Sequence, residues 1–254
     1  MRAVAVMLLL CALSVGPAGG AANAAEVKVL SAGAMRGVVD ALLPAFEKAS
    51  GHKVVVDNAT AGVLARRIED GEPFDVAVIT AVVVDGLAGK GKLAPDSRVP
   101  LAKVGMGVAV KVGAPLPDIK TVDALKRTLL AAKSVAYINP KAGGTSGVFF
   151  EQMIDKLGIG SEVRAKARLK DGGHVADLVA SGEAEVGVHV ISEIVPVKGA
   201  VLVGPLPAEV QTTTIYAGAI SAATAQAEAA KALLRFIAGP ASVPVLQAKG
   251  MEKP

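Results

Sequence analysis

The chain has no tryptophan, and only two tyrosines, five phenylalanines, three histidines and one cysteine among its 254 residues. So few aromatic rings leave little to stack against bases or sugars, which disfavours single-stranded nucleic acid and carbohydrate as ligands. The 27 basic and 23 acidic residues are interspersed and sum to a net charge of only +4. No basic patch or run marks a nucleic-acid surface, and no nucleic-acid partner is expected. His52, His174 and His189 are too far apart for a short metal motif, and none sits in an HExxH pattern. No metal and no cofactor are expected. No serine occupies a GxSxG elbow, which removes the usual signature of a serine hydrolase. What is abundant is apolar: 52% of residues are hydrophobic, and the 28 Gly and 14 Pro are scattered, a globular composition with ample core.

Residues 1–25 read as a cleavable secretory signal. Arg2 supplies the positive start, Ala3 to Val15 the apolar stretch, and Ala22-Asn-Ala24 the small residues of a cleavage site. The only cysteine, Cys11, lies inside this leader and follows Leu10, where a lipoprotein site would carry a small residue. A cysteine-free, exported protein starting at Ala25 or Glu26 is expected, without disulfides. No later stretch is long and apolar enough for a membrane span.

From Val27 the pattern alternates. A strand over Val27–Leu30 leads to a helix with Val38, Val39, Leu42, Leu43 and Phe46 on one face, with a kink or break expected at Pro44. A strand over Lys53–Val56, a helix over Val63–Asp70 and a strand over Asp75–Thr80 follow. This alternation predicts an α/β fold with a mostly parallel sheet flanked by helices. The β-prone run Val104–Val112 then reads as a crossing into a second unit of the same kind. That unit has a helix over Thr121–Lys133, a strand over Ser134–Ile138, a helix carrying Phe149, Phe150, Met153, Ile154 and Leu157, a helix over His174–Ser181 and a strand over Glu185–Ile191. A second crossing is expected near Thr212–Ile220, before a closing helix over Ala225–Ile237. Residues 26–103 with 215–254 would form lobe 1 and residues 104–214 lobe 2, with a ligand cleft between them.

Three strand-to-helix junctions combine small residues with hydroxyls: Ser31-Ala-Gly-Ala34, Asn58-Ala-Thr-Ala-Gly62 and Gly143-Gly-Thr-Ser-Gly147. The first amides of a helix lack internal partners and lie at the positive end of its dipole, so each junction can hold an anion. A bare N-cap role for each Ser or Thr is the other reading. The third junction has no following Lys and is not a nucleotide-binding P-loop. The candidate ligand-binding residues are therefore Ser31, Gly33, Ala34, Thr60, Ala61, Gly62, Thr145, Ser146 and Gly147, with Thr80 at the end of its strand. Arg36, just inside the first helix, suits a carboxylate, or is a solvated surface charge. Of Arg66 and Arg67 only one can face a cleft, and Arg66 is preferred. His189 interrupts an apolar strand, as a packing residue or as an acid/base group opening on the cleft, with His174 and Lys170 next in line for that role.

The chain resembles the periplasmic molybdate-binding family of ABC-transporter solute-binding proteins. The resemblance rests on Val27-Lys-Val-Leu-Ser-Ala-Gly33, Phe46-Glu-Lys-Ala-Ser-Gly-His-Lys-Val54, Leu64-Ala-Arg-Arg-Ile-Glu-Asp-Gly-Glu-Pro-Phe-Asp-Val76, Ser146-Gly-Val-Phe-Phe150 and Lys156-Leu-Gly158. It implies a two-lobed periplasmic-binding-protein fold, each lobe a mixed sheet flanked by helices, closing on a small anionic ligand. It further implies a periplasmic location and an ABC permease partner, and a monomer is expected. In the molybdate binders two serines and a tyrosine donate to the oxyanion; aligned here, those positions fall on Ala34, on or next to Ala61, and on Val190. Losing three hydroxyl donors at about 1 kcal/mol each argues against molybdate, while Arg36 and His189 point to an organic anion, a small (poly)carboxylate. The wording of 101–114, 118–133 and Val203-Gly-Pro-Leu-Pro-Ala-Glu-Val-Gln211 looks like a divergent branch. One member type of the wider family is a cofactor-free aconitate isomerase, and in that alternative Arg36 and Arg66 would hold carboxylates while His189 is catalytic.

Overall fold

The structure is a computed structural model that describes residues 24–254. Most of the expected leader, with Cys11, lies outside the described residues.

The first half is built as alternation predicts. Strand β1 (Glu26–Ala32) feeds α1 (Gly33–Ser50), β2 (Lys53–Ala59) feeds α2 (Ala61–Glu69), and β3 (Val76–Thr80) feeds α3 (Ala81–Gly89). β1 pairs in parallel with β2 and β3. α1 buries Val38, Val39, Leu42 and Phe46 on one face. It runs through Pro44 instead of breaking there. Pro44 sits on the exposed side, where the carbonyl it frees on Asp40 can be hydrated. Gly51, with φ of 74°, ends the helix by donating its amide to the Glu47 carbonyl, a left-handed cap that glycine adopts without strain.

β4 (Val99–Lys111) then spans both halves. The second half holds α4 (Val122–Ala131), β5 (Val135–Ile138), α5 (Thr145–Lys156), α6 (Gly160–Arg164), β6 (Ala167–Lys170), α7 (Ala176–Ser181), β7 (Val186–Val190) and β8 (Ala200–Pro205). β9 (Thr213–Ile220) returns to the first half, where α8 (Ala227–Ala238) and α9 (Ser242–Ala248) pack against α1. The strand order is β2-β1-β3-β9-β4-β7-β5-β6, with β8 on β4.

Each half keeps a parallel core, but every pairing of β4 or β9 is antiparallel. The sheet is therefore mixed rather than mostly parallel, because β9 runs against its neighbours β3 and β4, and β4 runs against β7 and β8. β4 changes partners between Gly105, paired with β9, and Met106, paired with β7. The Gln211 side chain braces that point, accepting from the Met106 amide at 2.8 Å and donating to its carbonyl at 2.9 Å. The run Thr212–Ile220, expected as a crossing, is mostly a strand of the first half, paired with β3 and β4. The chain crosses back just before it, between Pro205 and Thr213.

One surface network ties β2 to α2. Arg67 contacts both Asp57 and Glu72, and Lys28 reaches Glu72 at 2.8 Å. The hydrogen bonds from Arg67 and Lys28 hold the Glu72 carboxyl down at about 2. A carboxylate with a depressed folded-state pKa adds stability that is complete above its unfolded value and lost as pH falls through the folded one. Acidification from pH 5 to 2 is expected to lower the melting temperature of the wild type more steeply than that of Arg67→Ala. Parallel melting curves in the two proteins would contradict this.

Candidate functional site

The carboxyl ends of the parallel strands of both halves face one another, and between them lies a cavity of about 530 Å³. Helix N-termini open into it because each follows a strand: α1 at Gly33 and Ala34, α2 at Thr60 and Ala61, α3 at Thr80, and α5 at Gly144, Thr145 and Ser146. No side-chain cap closes α1, α3 or α5, so their first amides are free to meet an anion. The cavity volume falls within the roughly 300–1,000 Å³ of small-molecule sites, far more than one tetrahedral oxyanion fills.

Several wall residues carry buried polar atoms that the protein itself does not pair. Asn58 Oδ1, Thr80 Oγ1 and His189 Nδ1 are buried without a hydrogen-bond partner among the described residues. Native interiors seldom leave such atoms unpaired. His189 is 2% exposed, and burial lowers its pKa to about 3, so the imidazole is neutral. Its Nε2 lies 3.4 Å from Oε2 of Glu193, whose carboxyl burial pushes up to about 8. The separation is long for a hydrogen bond and offers little against the cost of burying two charges. Both groups are therefore neutral at pH 7. Tyr216 lines the same wall, with its phenol raised by burial and by Glu193.

Of the residues expected from sequence, Gly33, Ala34, Arg36, Thr60, Ala61, Thr80, Thr145, Ser146 and His189 line the cavity. Ser31, Gly62, Arg66 and Gly147 do not. The Ser31 hydroxyl is fully buried and donates to the Ala32 carbonyl. Gly147 is pressed against Ile138, where a Cβ would come 2.1 Å from the carbonyl oxygen. Arg66 is exposed on the outer side of α2, a helix whose inner face is Ala61, Leu64 and Ile68. Arg36 reaches the cavity from its rim: its side chain is 63% exposed and pairs with Asp40 one turn on. His174 also lines the cavity, whereas Lys170 is held by Asp177 and the His174 carbonyl.

Glu193, Tyr216, Asp171 and Asp177 are wall residues that the sequence reading passed over. For Glu193 a signal existed: an acid inside the apolar run Ile191–Val195, four residues after His189.

Thr60 and Gly62 make contacts across the cleft. The Thr60 hydroxyl accepts from the Val63 amide as an N-cap and donates to the Ala142 carbonyl across the cleft at 2.7 Å. Gly62 donates its amide to Gly143 O at 3.0 Å, and a Cβ on Gly62 would lie 2.8 Å from the Gly143 backbone. Only glycine permits that approach. Gly62→Val is expected to prop the halves apart and weaken ligand binding about tenfold, a cost near 1.4 kcal/mol. Titration calorimetry would read the loss and small-angle scattering the larger radius; an unchanged affinity would deny Gly62 this role.

Residues 27–252 match the bacterial extracellular solute-binding protein family. The chain is 35% identical over 230 residues to an aconitate isomerase from a Pseudomonas species, covering 88% of this chain and 86% of that protein. It is 28% identical over 251 residues to the molybdate-binding protein ModA of Azotobacter vinelandii, covering 95% and 96%. The solved periplasmic molybdate-binding protein of Azotobacter vinelandii superposes with a TM-score of 0.77 at 23% identity, over 90% of this chain and 99% of that one. The sulfate-binding protein SubI of Mycobacterium tuberculosis gives 0.72 at 17%, over 90% and 87%. With the two-halved α/β architecture and a cavity ringed by helix N-termini, these likenesses place the chain in the family of bacterial extracellular solute-binding proteins.

Proposed function

We propose that the protein is a periplasmic solute-binding component of an ABC transporter whose cavity takes a small organic polycarboxylate. The observation that carries this is the makeup of the wall. Uncapped N-termini of α1 and α5 enter from opposite halves, while Ala34, Ala61 and Val190 line the cavity at the positions where molybdate binders are expected to carry hydroxyls. Such a wall suits two or more separated carboxylates better than one compact tetrahedral oxyanion. The permease would meet the closed form. A melting screen tests the ligand: trans-aconitate, citrate or a similar polycarboxylate is expected to stabilise the protein and molybdate is not. Stabilisation by molybdate alone overturns the reading.

A second reading, isomerisation of the bound polycarboxylate, is favoured by the neutral His189 in the wall and by the aconitate isomerase relative. The reaction moves one proton. A base takes it from the methylene carbon of trans-aconitate, the double bond shifts along the allylic system, and the proton returns at the far carbon, so no cofactor is consumed. Arg36 and the helix amides would hold the carboxylates and His189 would carry the proton.

A further inference from the structure

Glu193 has no role in either reading above, yet it stands in the cavity wall. It lies in the single turn that follows β7, is 8% exposed, and has room for its carboxyl because Gly33 carries no side chain: a Cβ there would lie 2.8 Å from Glu193 Oε1. Its polar neighbour is His189, at 3.4 Å. A buried carboxyl with space, no strong partner and an opening to the ligand volume is placed to offer its proton inward.

We propose that Glu193 enters the cavity as a neutral carboxylic acid and donates a hydrogen bond to a carboxylate of the ligand, selecting an anion that can share its proton. The inference rests on the polycarboxylate reading of the cavity and adds the residue that distinguishes such a ligand by chemistry. An acid–carboxylate bond is charge-assisted and short, and stronger than a bond between neutral partners. Were Glu193 ionised, it would instead set a second negative charge against the ligand.

Binding should then weaken as Glu193 loses its proton. The groups facing it are His189 from β7, Tyr216 from β9, and the amide end of α1 with Arg36 one turn on; His174, Lys170 and Asp177 stand behind His189. The α1 dipole favours the ionised form, but burial outweighs it and holds the acid protonated up to about pH 8. Both imidazoles are neutral above pH 7, since burial lowers each of them, and Tyr216 keeps its proton beyond pH 9. The carboxyls of a free tricarboxylate start from the ordinary value of about 4, are raised by one another by no more than about two units, and are ionised throughout this interval. A change between pH 7 and 9 is thus read from Glu193.

Calorimetric titration with tricarballylate, a saturated tricarboxylate that has no double bond to shift, tests this on the intact mature protein. The dissociation constant of the wild type is expected to rise about tenfold from pH 7 to pH 9, with one proton taken up per ligand at the upper end. Glu193→Gln keeps a neutral donor of the same shape; it should bind at pH 7 within about threefold of wild type and show a flat profile to pH 9. A wild-type affinity that is flat over this interval, or an equal slope in Glu193→Gln, overturns the role of Glu193 and leaves the polycarboxylate reading standing. Failure of tricarballylate to bind the wild type at pH 7 overturns both.

Discussion

On the isomerase reading, replacing His189 by glutamine is expected to cut conversion of trans-aconitate to its cis isomer by about a hundredfold, with substrate affinity changed little. General acid–base groups are typically worth about 10²- to 10⁴-fold in rate. The lower end applies because burial leaves the His189 imidazole a weak base, with a pKa of about 3. Glutamine fills nearly the same space and can still donate or accept a hydrogen bond, so the cavity keeps its shape. What it loses is the titratable nitrogen. The assay is incubation of purified protein with trans-aconitate, wild type beside variant, with the product separated by chromatography. Absence of turnover by the wild type would discard the isomerase and leave a transport component. Turnover untouched by the substitution would keep the enzyme and move the proton carrier to His174, which also lines the cavity. Lys170, the other alternative from sequence, is engaged by Asp177 and the His174 carbonyl and is the weaker choice.

The halves and most of their elements were legible because periodicity reports burial locally. Val38, Val39, Leu42 and Phe46 recur at helical spacing and all are buried on α1. The elements missed were those without such a pattern. α3 reads Ala-Val-Val-Val-Asp-Gly-Leu-Ala-Gly and is apolar nearly all round, while β6 and β8 are only partly buried. Strand direction was legible where helices link neighbours and not at β4 and β9, whose antiparallel pairing depends on contacts far apart in sequence. The site shows the same division. Glycine and hydroxyl junctions announce helix starts, and these do converge on one cavity. Which atoms then point inward is a matter of packing: Gly62 and Gly147 are consumed by close backbone contacts, and Arg66 lies on the outer side of its helix. Glu193 stood out only as an acid in an apolar run, which marks it as unusual without saying where it points, and its place is set by the gap above Gly33.

A polycarboxylate at a hundredfold excess over its dissociation constant is expected to stabilise the protein by about 2.7 kcal/mol. For a chain of this size that corresponds to a rise of roughly 5–10 °C in melting temperature. The main source is the set of free helix N-termini, which are fixed in the folded state and cost the ligand little reorganisation. Arg36 adds less. Its guanidinium is 63% exposed at the rim and already pairs with Asp40, and charges in that position contribute about 0.2–1 kcal/mol. Arg36→Ala should therefore trim the shift by up to about a third rather than abolish it. Molybdate should give no comparable shift, because the side chains of Ala34, Ala61 and Val190 carry no hydroxyl where the resemblance to molybdate binders puts its donors. Differential scanning fluorimetry over a series from dicarboxylates to tricarboxylates, with molybdate and sulfate as controls, reads all of this in one experiment. A shift with molybdate that equals the best polycarboxylate and survives Arg36→Ala would return the cavity to the oxyanion binders.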